Sequence, residues 1–192
     1  MNILLLGPQG SGKGTQAKRI EAEYGVPHIA TGDMLRAAIA DETELGLRVK
    51  PIVESGQLVP DDLMIELIRE RLGEDDAQGG FILDGFPRTL AQAEALDEML
   101  AEIGRGLSIV FEFQLADEVC RERMLRRAEV ENRTDDTPEV IDRRLALYHE
   151  QTEPLVAHYR LVGNLVGIHA ERSIDEVFAE VQDALEHVAA RA

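Results

Sequence analysis

The chain has 192 residues and a formal net charge of −17, from 37 acidic and 20 basic residues. A surface this acidic repels nucleic acid and anionic membranes, so we expect neither as a partner. No apolar run approaches the ~18 residues of a membrane span, and the N-terminal residues lack the pattern of a signal peptide, so we expect a cytosolic location.

Short apolar runs alternate with longer amphipathic stretches, which is typical of a parallel α/β sheet covered by helices. In chain order the pattern predicts a strand at 2–6, a helix at 13–24, a strand at 28–30, helices at 31–40, 44–55 and 60–72, a strand at 81–84, a helix at 90–103, a strand at 107–113, helices at 117–127 and 138–159, a strand at 161–168 and a last helix after Ser173. Ser173 and Glu176 form a capping box for that last helix. The segment 128–137 is polar and loses its periodicity, which predicts a short mobile loop.

Residues 7–15 read Gly-Pro-Gln-Gly-Ser-Gly-Lys-Gly-Thr and lie between the first strand and the first helix. A phosphate-binding loop needs this context, because glycines let backbone amides turn inward and the helix N-terminus attracts anions. Lys13 adds a mobile positive charge for the terminal phosphates. We therefore predict a triphosphate site formed by Gly10, Ser11, Gly12, Lys13, Gly14 and Thr15.

One departure from the strict phosphate-loop motif is informative. That motif has a serine or threonine directly after the lysine to bind Mg²⁺, whereas here Gly14 follows Lys13 and Thr15 comes next. The departure disfavours a GTPase switch, and this form of the loop resembles the nucleoside monophosphate kinase family.

Three further segments match that family in order and spacing: 30–36 (Ala-Thr-Gly-Asp-Met-Leu-Arg), 84–92 (Asp-Gly-Phe-Pro-Arg-Thr-Leu-Ala-Gln) and the arginine-rich stretch 123–144. Together they resemble adenylate kinases with a short lid. The resemblance implies a P-loop fold, with a five-stranded parallel sheet in the order 2-3-1-4-5 flanked by helices. It also implies a core formed by 1–30, 61–126 and 138–192, an AMP-binding insertion at 31–60 and a short lid at 127–137.

The arginines of these segments suit phosphoryl transfer, because catalysis there is positioning and charge stabilisation, and arginine grips phosphate with two parallel hydrogen bonds. By resemblance, Arg36 and Arg88 hold the phosphate of AMP, and Arg123 stacks on the adenine of ATP. The arginines expected to close on the transferring group are Arg127, Arg133 and Arg144, with Arg127 on the ATP side and the other two also contacting AMP. The expected catalytic set is Lys13, Arg88, Arg123, Arg133 and Arg144. Arg126 and Arg143 lack motif support and are expected at the surface.

The acceptor base is expected to be adenine. Thr31 replaces the alanine or serine common in pyrimidine-specific relatives, and Thr89 and Gln92 stand where those relatives carry asparagines. A glutamine amide donates and accepts at once, which matches the edge of adenine. By resemblance Gln92 contacts that edge, and the rest of the AMP pocket comes from Thr31, Gln57, Val59 and Gly85.

Asp84 ends the third strand, at the carboxyl edge of the sheet where ligands bind in open α/β folds. An aspartate there predicts a Mg²⁺ ion held through bound water. Asp33 is a second metal candidate, with a helix cap as its alternative role. Asp135 and Asp136 either latch the lid through arginines or face solvent.

The single cysteine, Cys120, forms no internal disulfide, and without a Cys/His cluster in the sequence we expect no zinc. We interpret it as a small apolar group in a helix. The five histidines, which show no metal-ligand spacing, are interpreted as structural or surface residues: His28, His149, His158, His169 and His187.

These observations predict a monomeric, Mg²⁺-dependent kinase that converts ATP and AMP into two ADP. A UMP/CMP kinase is the closest alternative, and a non-catalytic ATP-binding regulator is an alternative from another class. The acid-rich, lysine-poor composition resembles that of proteins from a salt-rich cytoplasm, and an ordinary acidic protein is the other explanation.

Overall fold

The sheet at the centre of the molecule has five strands in the order β2-β3-β1-β4-β5, and every neighbouring pair is parallel. The computed structural model describes residues 1–131, 133 and 135–190. The strands are β1 (Asn2–Leu6), β2 (His28–Ala30), β3 (Phe81–Asp84), β4 (Ile109–Gln114) and β5 (Leu165–His169). This order confirms the predicted topology.

Helices cover both faces of the sheet. They are α1 (Lys13–Tyr24), α2 (Thr31–Ala40), α3 (Glu44–Ser55), α4 (Asp61–Leu72), α5 (Leu90–Glu102), α6 (Asp117–Glu131), α7 (Pro138–Leu147), α8 (Pro154–Val162) and α9 (Ile174–Ala189). A short 3-10 helix lies at Asp75–Ala77. The predicted capping box of α9 is confirmed, because Ser173 accepts a hydrogen bond from the Glu176 amide and the Glu176 carboxylate accepts one from the Ser173 amide.

The central strand β1 is buried along its whole length because it faces helices on both sides. Leu4 and Leu6 join an apolar cluster with residues of α4, α5 and α8, whereas Ile3 and Leu5 join a second cluster with residues of α1 and α9. Each fully buried side chain of this type stabilises the fold by about 1.5–3 kcal/mol. The loop that follows β1 therefore starts from a rigid strand in the middle of the sheet.

The segment 31–60 packs against the same core. Leu35, Val49 and Val59 are buried in the cluster that contains Leu4. Thr43 caps α3 by accepting a hydrogen bond from the Gly46 amide. A Cβ at Gly46 would lie 1.9 Å from the Ala38 carbonyl oxygen, so only glycine lets α2 and α3 approach this closely.

Helix α6 extends to Glu131, so the prediction that the loop begins at residue 128 was wrong. Residues 128–131 read Ala-Glu-Val-Glu, and alanine and glutamate are good helix formers, so their polar surface marks an exposed helical turn rather than a loop. Residues 132 and 134 of the predicted lid lie outside the described residues.

The long helix predicted at 138–159 is in fact α7 and α8, separated by a π-helical segment at Tyr148–Thr152. Proline lacks an amide hydrogen, and its ring clashes with the carbonyl four residues earlier, so Pro154 cannot continue a regular helix. The helix widens to a π-helical turn instead, in which the Glu153 amide donates to the Tyr148 carbonyl five residues earlier, at 2.8 Å. The proline was present in the sequence, but the prediction gave it no weight.

Two strand boundaries also differ from the prediction. Strand β4 starts at Ile109 rather than at residue 107, and β5 starts at Leu165 rather than at residue 161. Leu161 and Val162 belong to the exposed end of α8, which Gly163 terminates in a left-handed conformation, with φ +86°. Two apolar residues at a helix end imitate the start of a strand, because both patterns are short and hydrophobic.

Candidate active site

A cleft of about 1010 Å³ opens at the carboxyl edge of the sheet. Its lining includes every residue predicted from the sequence to bind ATP, AMP or metal: Gly10, Ser11, Gly12, Lys13, Gly14, Thr15, Thr31, Asp33, Arg36, Gln57, Val59, Asp84, Gly85, Arg88, Gln92, Arg123, Arg127, Arg133 and Arg144. These residues lie at the end of β3, after β1, β2 and β3, or on α6, α7 and the segment between those two helices. The parallel sheet brings the ends of the strands together at one edge. The volume is at the upper end of the roughly 300–1,000 Å³ of common ligand sites.

The loop after β1 has the backbone geometry of an anion cradle. Gly12 is the N-cap of α1, with φ +92° and no side chain to cap the helix, so the amides of the first helical turn are available to a ligand. Gly10 has φ +82°, and a Cβ there would lie 2.6 Å from the Cys120 carbonyl oxygen. Glycine is therefore required at position 10 both by the conformation and by the close approach of α6.

Lys13 folds back over the loop. Its ammonium donates to the carbonyl oxygens of Gly7 and Pro8, both at 2.7 Å, and to Ser11 Oγ at 3.1 Å. Burial lowers the pKa of Lys13 to about 8, although the nearby Asp84 carboxylate opposes the shift. These three acceptors carry no formal charge, so a phosphate would compete strongly for the ammonium.

Asp84 lies beside this loop at the end of β3. Its Oδ2 is 3.4 Å from His28 Nε2, and a Cβ at Gly14 would lie 3.4 Å from the same oxygen. Burial opposes ionisation of Asp84, but His28 and Lys13 outweigh it, and the pKa of the carboxyl lies below its ordinary value. Asp84 is therefore a carboxylate at neutral pH, although it is largely buried.

The donors in the cleft fit a Mg²⁺ ion held mostly by phosphates and water. Mg²⁺ sites of this kind use one or two carboxylates, and Asp84 supplies one next to the cradle. Among the described residues there is no group of three or more His, Cys, Asp or Glu side chains that could enclose a metal. The second candidate, Asp33, accepts a hydrogen bond from Arg36 at 2.5 Å and lies in the first turn of α2. Ala30 is the N-cap of α2, so the alternative role of Asp33 as the cap is wrong.

Arg88 lines the cleft together with Arg36 and Arg144. Burial, with the neighbouring charges of Arg144 and Arg36, lowers the pKa of Arg88, while Asp84 opposes this effect. Its main chain is held on both sides, because its amide donates to Gln92 Oε1 at 2.8 Å and its carbonyl accepts from Thr152 Oγ1 at 2.9 Å. Arg88 Nε donates to the Gly85 carbonyl at 2.7 Å, and the guanidinium can offer its remaining N–H groups to a phosphate.

Asp136 binds two of the arginines that are expected to close on the transferring group. Its Oδ2 accepts from Arg127 Nε at 3.0 Å and Nη2 at 2.6 Å, and its Oδ1 accepts from Arg144 Nη1 at 2.5 Å. Arg144 Nη2 also donates to Asp135 at 2.7 Å. The Asp136 side chain is fully buried and that of Asp135 is 10% exposed, so the solvent-facing alternative for this pair is wrong. The two carboxylates hold the arginines at the cleft.

Arg123 and Arg133 have different partners. Arg123 donates to the carbonyl oxygens of Ala170 at 2.9 Å and Glu171 at 3.4 Å, which places its guanidinium beside the segment after β5. Arg133 donates to Glu131 at 2.6 Å. Both arginines line the cleft.

The predicted base pocket lies beside Arg88. Thr31 and Gln92 are buried. Thr31 Oγ1 donates to the Asp84 carbonyl at 3.3 Å, and Gln92 Oε1 accepts from the Arg88 amide. A Cβ at Gly85, where φ is +87°, would lie 2.5 Å from that hydroxyl. Val59 is buried, and the Gln57 amide donates to the Ile52 carbonyl at the end of α3.

Comparison with known proteins agrees with this geometry. A family model described as Adenylate kinase matches residues 5–164. Proteins named Adenylate kinase from Maricaulis maris and Caulobacter vibrioides are 50% and 48% identical, and the alignments cover 97% and 99% of this chain and 99% and 100% of those proteins. The Adenylate kinase of Bacillus subtilis is 41% identical, over 96% of this chain and 98% of its own length.

The chain belongs to the adenylate kinase family.

Several cleft residues of this adenylate kinase family member were missed by the sequence analysis. They are His28, Tyr148, Thr152 and the residues after β5, including Ala170, Arg172, Ser173 and Ile174. The residues after β5 could have been found, because the carboxyl ends of all parallel strands meet at one edge. His28 and Thr152 carried no signal, because their neighbours in space are distant in sequence.

Two arginines predicted at the surface are exposed, but they also make contacts of interest. Arg126 lines the cleft. Arg143 donates to the Ser55 carbonyl at 2.6 Å and so ties α7 to the C-terminus of α3.

Cys120 is fully buried, and burial with the nearby Asp117 raises its pKa to about 11, so the thiol is inert as expected. Among the described helices, none combines the length and the apolar character that a membrane span requires.

Proposed function

We propose that this adenylate kinase transfers the γ-phosphoryl group of ATP to AMP, reversibly and with Mg²⁺, to give two ADP. The observation that carries the proposal is a single cleft with two separate places for phosphate. The cradle after β1 is one, and the cluster of Arg36, Arg88 and Arg144 is the other. The relatives named Adenylate kinase support AMP as the acceptor over UMP or CMP.

The donor side of the proposed site is the phosphate loop. In this assignment the amides of 10–15 hold the β- and γ-phosphates, and the Lys13 ammonium leaves the loop carbonyls to follow the transferring group. Arg127 adds charge from α6. Arg123 covers the adenine of ATP, a role supported by its hydrogen bonds to the segment after β5.

The acceptor side is the cluster around Arg88. The residues assigned to AMP are Thr31, Arg36, Gln57, Val59, Gly85, Arg88, Gln92, Arg133 and Arg144. Arg88 binds the phosphate of AMP that receives the γ-phosphoryl group. Arg36 binds the same phosphate once its ion pair with Asp33 opens. Gln92 and Thr31 lie where the base would be read, which is supported by their burial beside Arg88.

Asp84 is proposed to hold Mg²⁺ through bound water, with Asp33, which pairs with Arg36 in this structure, as the weaker candidate. When bound, the ion neutralises charge on the phosphate oxygens. The ionised state of Asp84, favoured by His28 and Lys13, supports the assignment. The proposed catalytic residues are Lys13, Arg88, Arg123, Arg133 and Arg144, which all stabilise charge; the mechanism includes no strong general base.

The proposal includes two moving segments, 31–60 over AMP and the lid 127–137 over ATP, on a core formed by 1–30, 61–126 and 138–192. Closure excludes water, so that ATP is not hydrolysed. The carboxylates of Asp135 and Asp136 hold Arg127 and Arg144 until phosphates compete for these arginines. One chain supplies all of these residues, which supports a monomer, and the two substrates are metabolites of the cytosol, which supports a cytosolic location.

The variant Arg88→Ala tests the assignment. Removing this guanidinium leaves the phosphate of AMP and the transferring group without their buried donor, so kcat/KM for AMP should fall at least about a hundredfold, roughly 3 kcal/mol. A matched control is Arg69→Ala, which removes an exposed arginine of α4 that pairs with Glu102 of α5 and does not line the cleft, and which should keep its activity. Near-normal kinetics of Arg88→Ala would refute the assignment.

A further inference from the structure

The amide of Gln92 is held at both ends by the protein. Its Nε2 donates to Asp61 Oδ1 at 2.7 Å, and its Oε1 accepts from the Arg88 amide at 2.8 Å. The same Asp61 oxygen accepts from Thr89 Oγ1 at 3.0 Å. Gln92 is 2% exposed, so the side chain has little room to turn.

These partners fix which end of the amide is which. An ionised carboxylate only accepts hydrogen bonds, so Asp61 must face the NH₂ group of Gln92. A backbone amide only donates, so Arg88 must face the amide oxygen. If the amide were turned over, two donors would meet at Arg88 and two acceptors at Asp61, and each buried mismatch costs about 1–3 kcal/mol. The chemistry of the neighbours therefore determines the orientation.

A primary amide has two N–H donors and two oxygen lone pairs, and the protein uses one of each. The fixed amide therefore keeps one N–H and one oxygen lone pair for a ligand. Adenine offers an amino donor next to a ring-nitrogen acceptor, and the fixed amide can pair with both. Uracil and hypoxanthine offer an oxygen acceptor next to a ring N–H, which is the reverse order. An amide that cannot turn over therefore accepts the first pattern and rejects the second.

We propose that Asp61 is a positioning residue for acceptor specificity, because its carboxylate locks the Gln92 amide in the orientation that pairs with adenine. Asp61 contacts Gln92 and Thr89, and it acts on the base through Gln92. The inference rests on the proposed function, in which Gln92 reads the base of the acceptor monophosphate.

Asp61 also lies in the first turn of α4, where a negative charge favours the helix dipole. That role would contribute to stability alone. The next residue, Asp62, shares the same turn and is exposed, and so offers a matched control for the dipole. If Asp61 acted through the helix dipole alone, Asp61→Ala and Asp62→Ala would behave alike.

The experiment compares kcat/KM for AMP, UMP and IMP, with ATP as donor, in the unsubstituted enzyme and in variants at positions 61 and 62. In Asp61→Ala the preference for AMP over UMP and over IMP should fall about tenfold or more, mainly through a raised KM for AMP. The KM for ATP should stay within about twofold, because the donor site does not depend on Gln92. Asp62→Ala should keep the preference. Asp61→Asn should also keep most of it, because its amide oxygen can still accept from Gln92.

The variant Asp61→Ser keeps the experiment decisive if Asp61→Ala fails to fold. Serine suits a helix start, but its hydroxyl can donate as well as accept, so the preference for AMP should again fall. An unchanged preference in whichever of these two variants folds, with activity lowered equally for all acceptors, overturns the inference. If the unsubstituted enzyme itself shows no preference for AMP, the proposed function fails instead, so the two failures can be told apart.

Discussion

The buried carboxylate of Asp136 tests whether its ion pairs with Arg127 and Arg144 stabilise the fold. In Asp136→Asn the shape of the side chain is preserved, but the negative charge is lost and an NH₂ group faces an arginine donor. Removing one partner of a buried ion pair costs about 3–5 kcal/mol. Arg144 keeps its contact with Asp135, and Arg127 is 27% exposed and can rehydrate, so the loss should lie near the lower end of that range.

We therefore expect Asp136→Asn to lower the free energy of unfolding by about 3 kcal/mol. For a chain of this size, each kcal/mol lowers Tm by about 2–4 °C, so Tm should fall by roughly 6–12 °C. Urea and thermal unfolding followed by circular dichroism give both quantities.

The control for this test is Asp142→Asn. Asp142 pairs with Arg121, but both side chains are about half exposed, and such surface pairs contribute at most about 1 kcal/mol. If Asp136→Asn costs no more than the control, the buried network does not hold the lid segment, and the reasoning is wrong.

Two further predictions concern electrostatics. Hydrogen bonds to Glu153 and Asp117 raise the pKa of His149 above 6.5, so its stabilising effect is present below about pH 6.5 and is lost as the pH rises through the raised value. The variant His149→Gln should therefore have a lower Tm than the parent at about pH 6 and the same Tm at about pH 9. Because like charges repel at a net charge of −17, Tm should rise with KCl as the screening length shrinks from about 10 Å at 0.1 M to about 3 Å at 1 M. A Tm that does not rise argues against the salt-adapted interpretation of the composition.

The phosphate loop could be predicted because its signal is local. Nine consecutive residues between a strand and a helix fix the direction of the amides, and the structure adds that Gly10 also makes room for the Cys120 carbonyl. The order of the strands followed from the family resemblance rather than from the apolar pattern, which gives strands but not their neighbours.

The burial and the ion pairs of the charged residues could not be predicted. In the sequence, Asp135 and Asp136 lie in a polar segment, which is as typical of solvent-exposed carboxylates as of buried ones. Their burial depends on Arg127 and Arg144, which reach them from α6 and α7. The pairing of Asp61 with Gln92 likewise joins residues that are 31 positions apart.

The contact between His28 and Asp84 also could not be predicted from the local sequence. The two residues lie on neighbouring strands, and the register that pairs Ala30 with Asp84 is set by packing of the whole sheet. The break at Pro154 is a different case, since the residue was visible and its effect on a helix is known. There the strong amphipathic pattern on both sides concealed the interruption.

The most direct test of the account is an acceptor panel with the unsubstituted enzyme. With ATP and Mg²⁺ present, kcat/KM is measured for AMP, CMP, UMP and GMP, and the products are identified by phosphorus NMR. The account predicts that AMP is the strongly preferred acceptor and that each turnover consumes one ATP and one AMP and forms two ADP. A higher kcat/KM for UMP or CMP, or nucleotide binding without ADP formation, would contradict it.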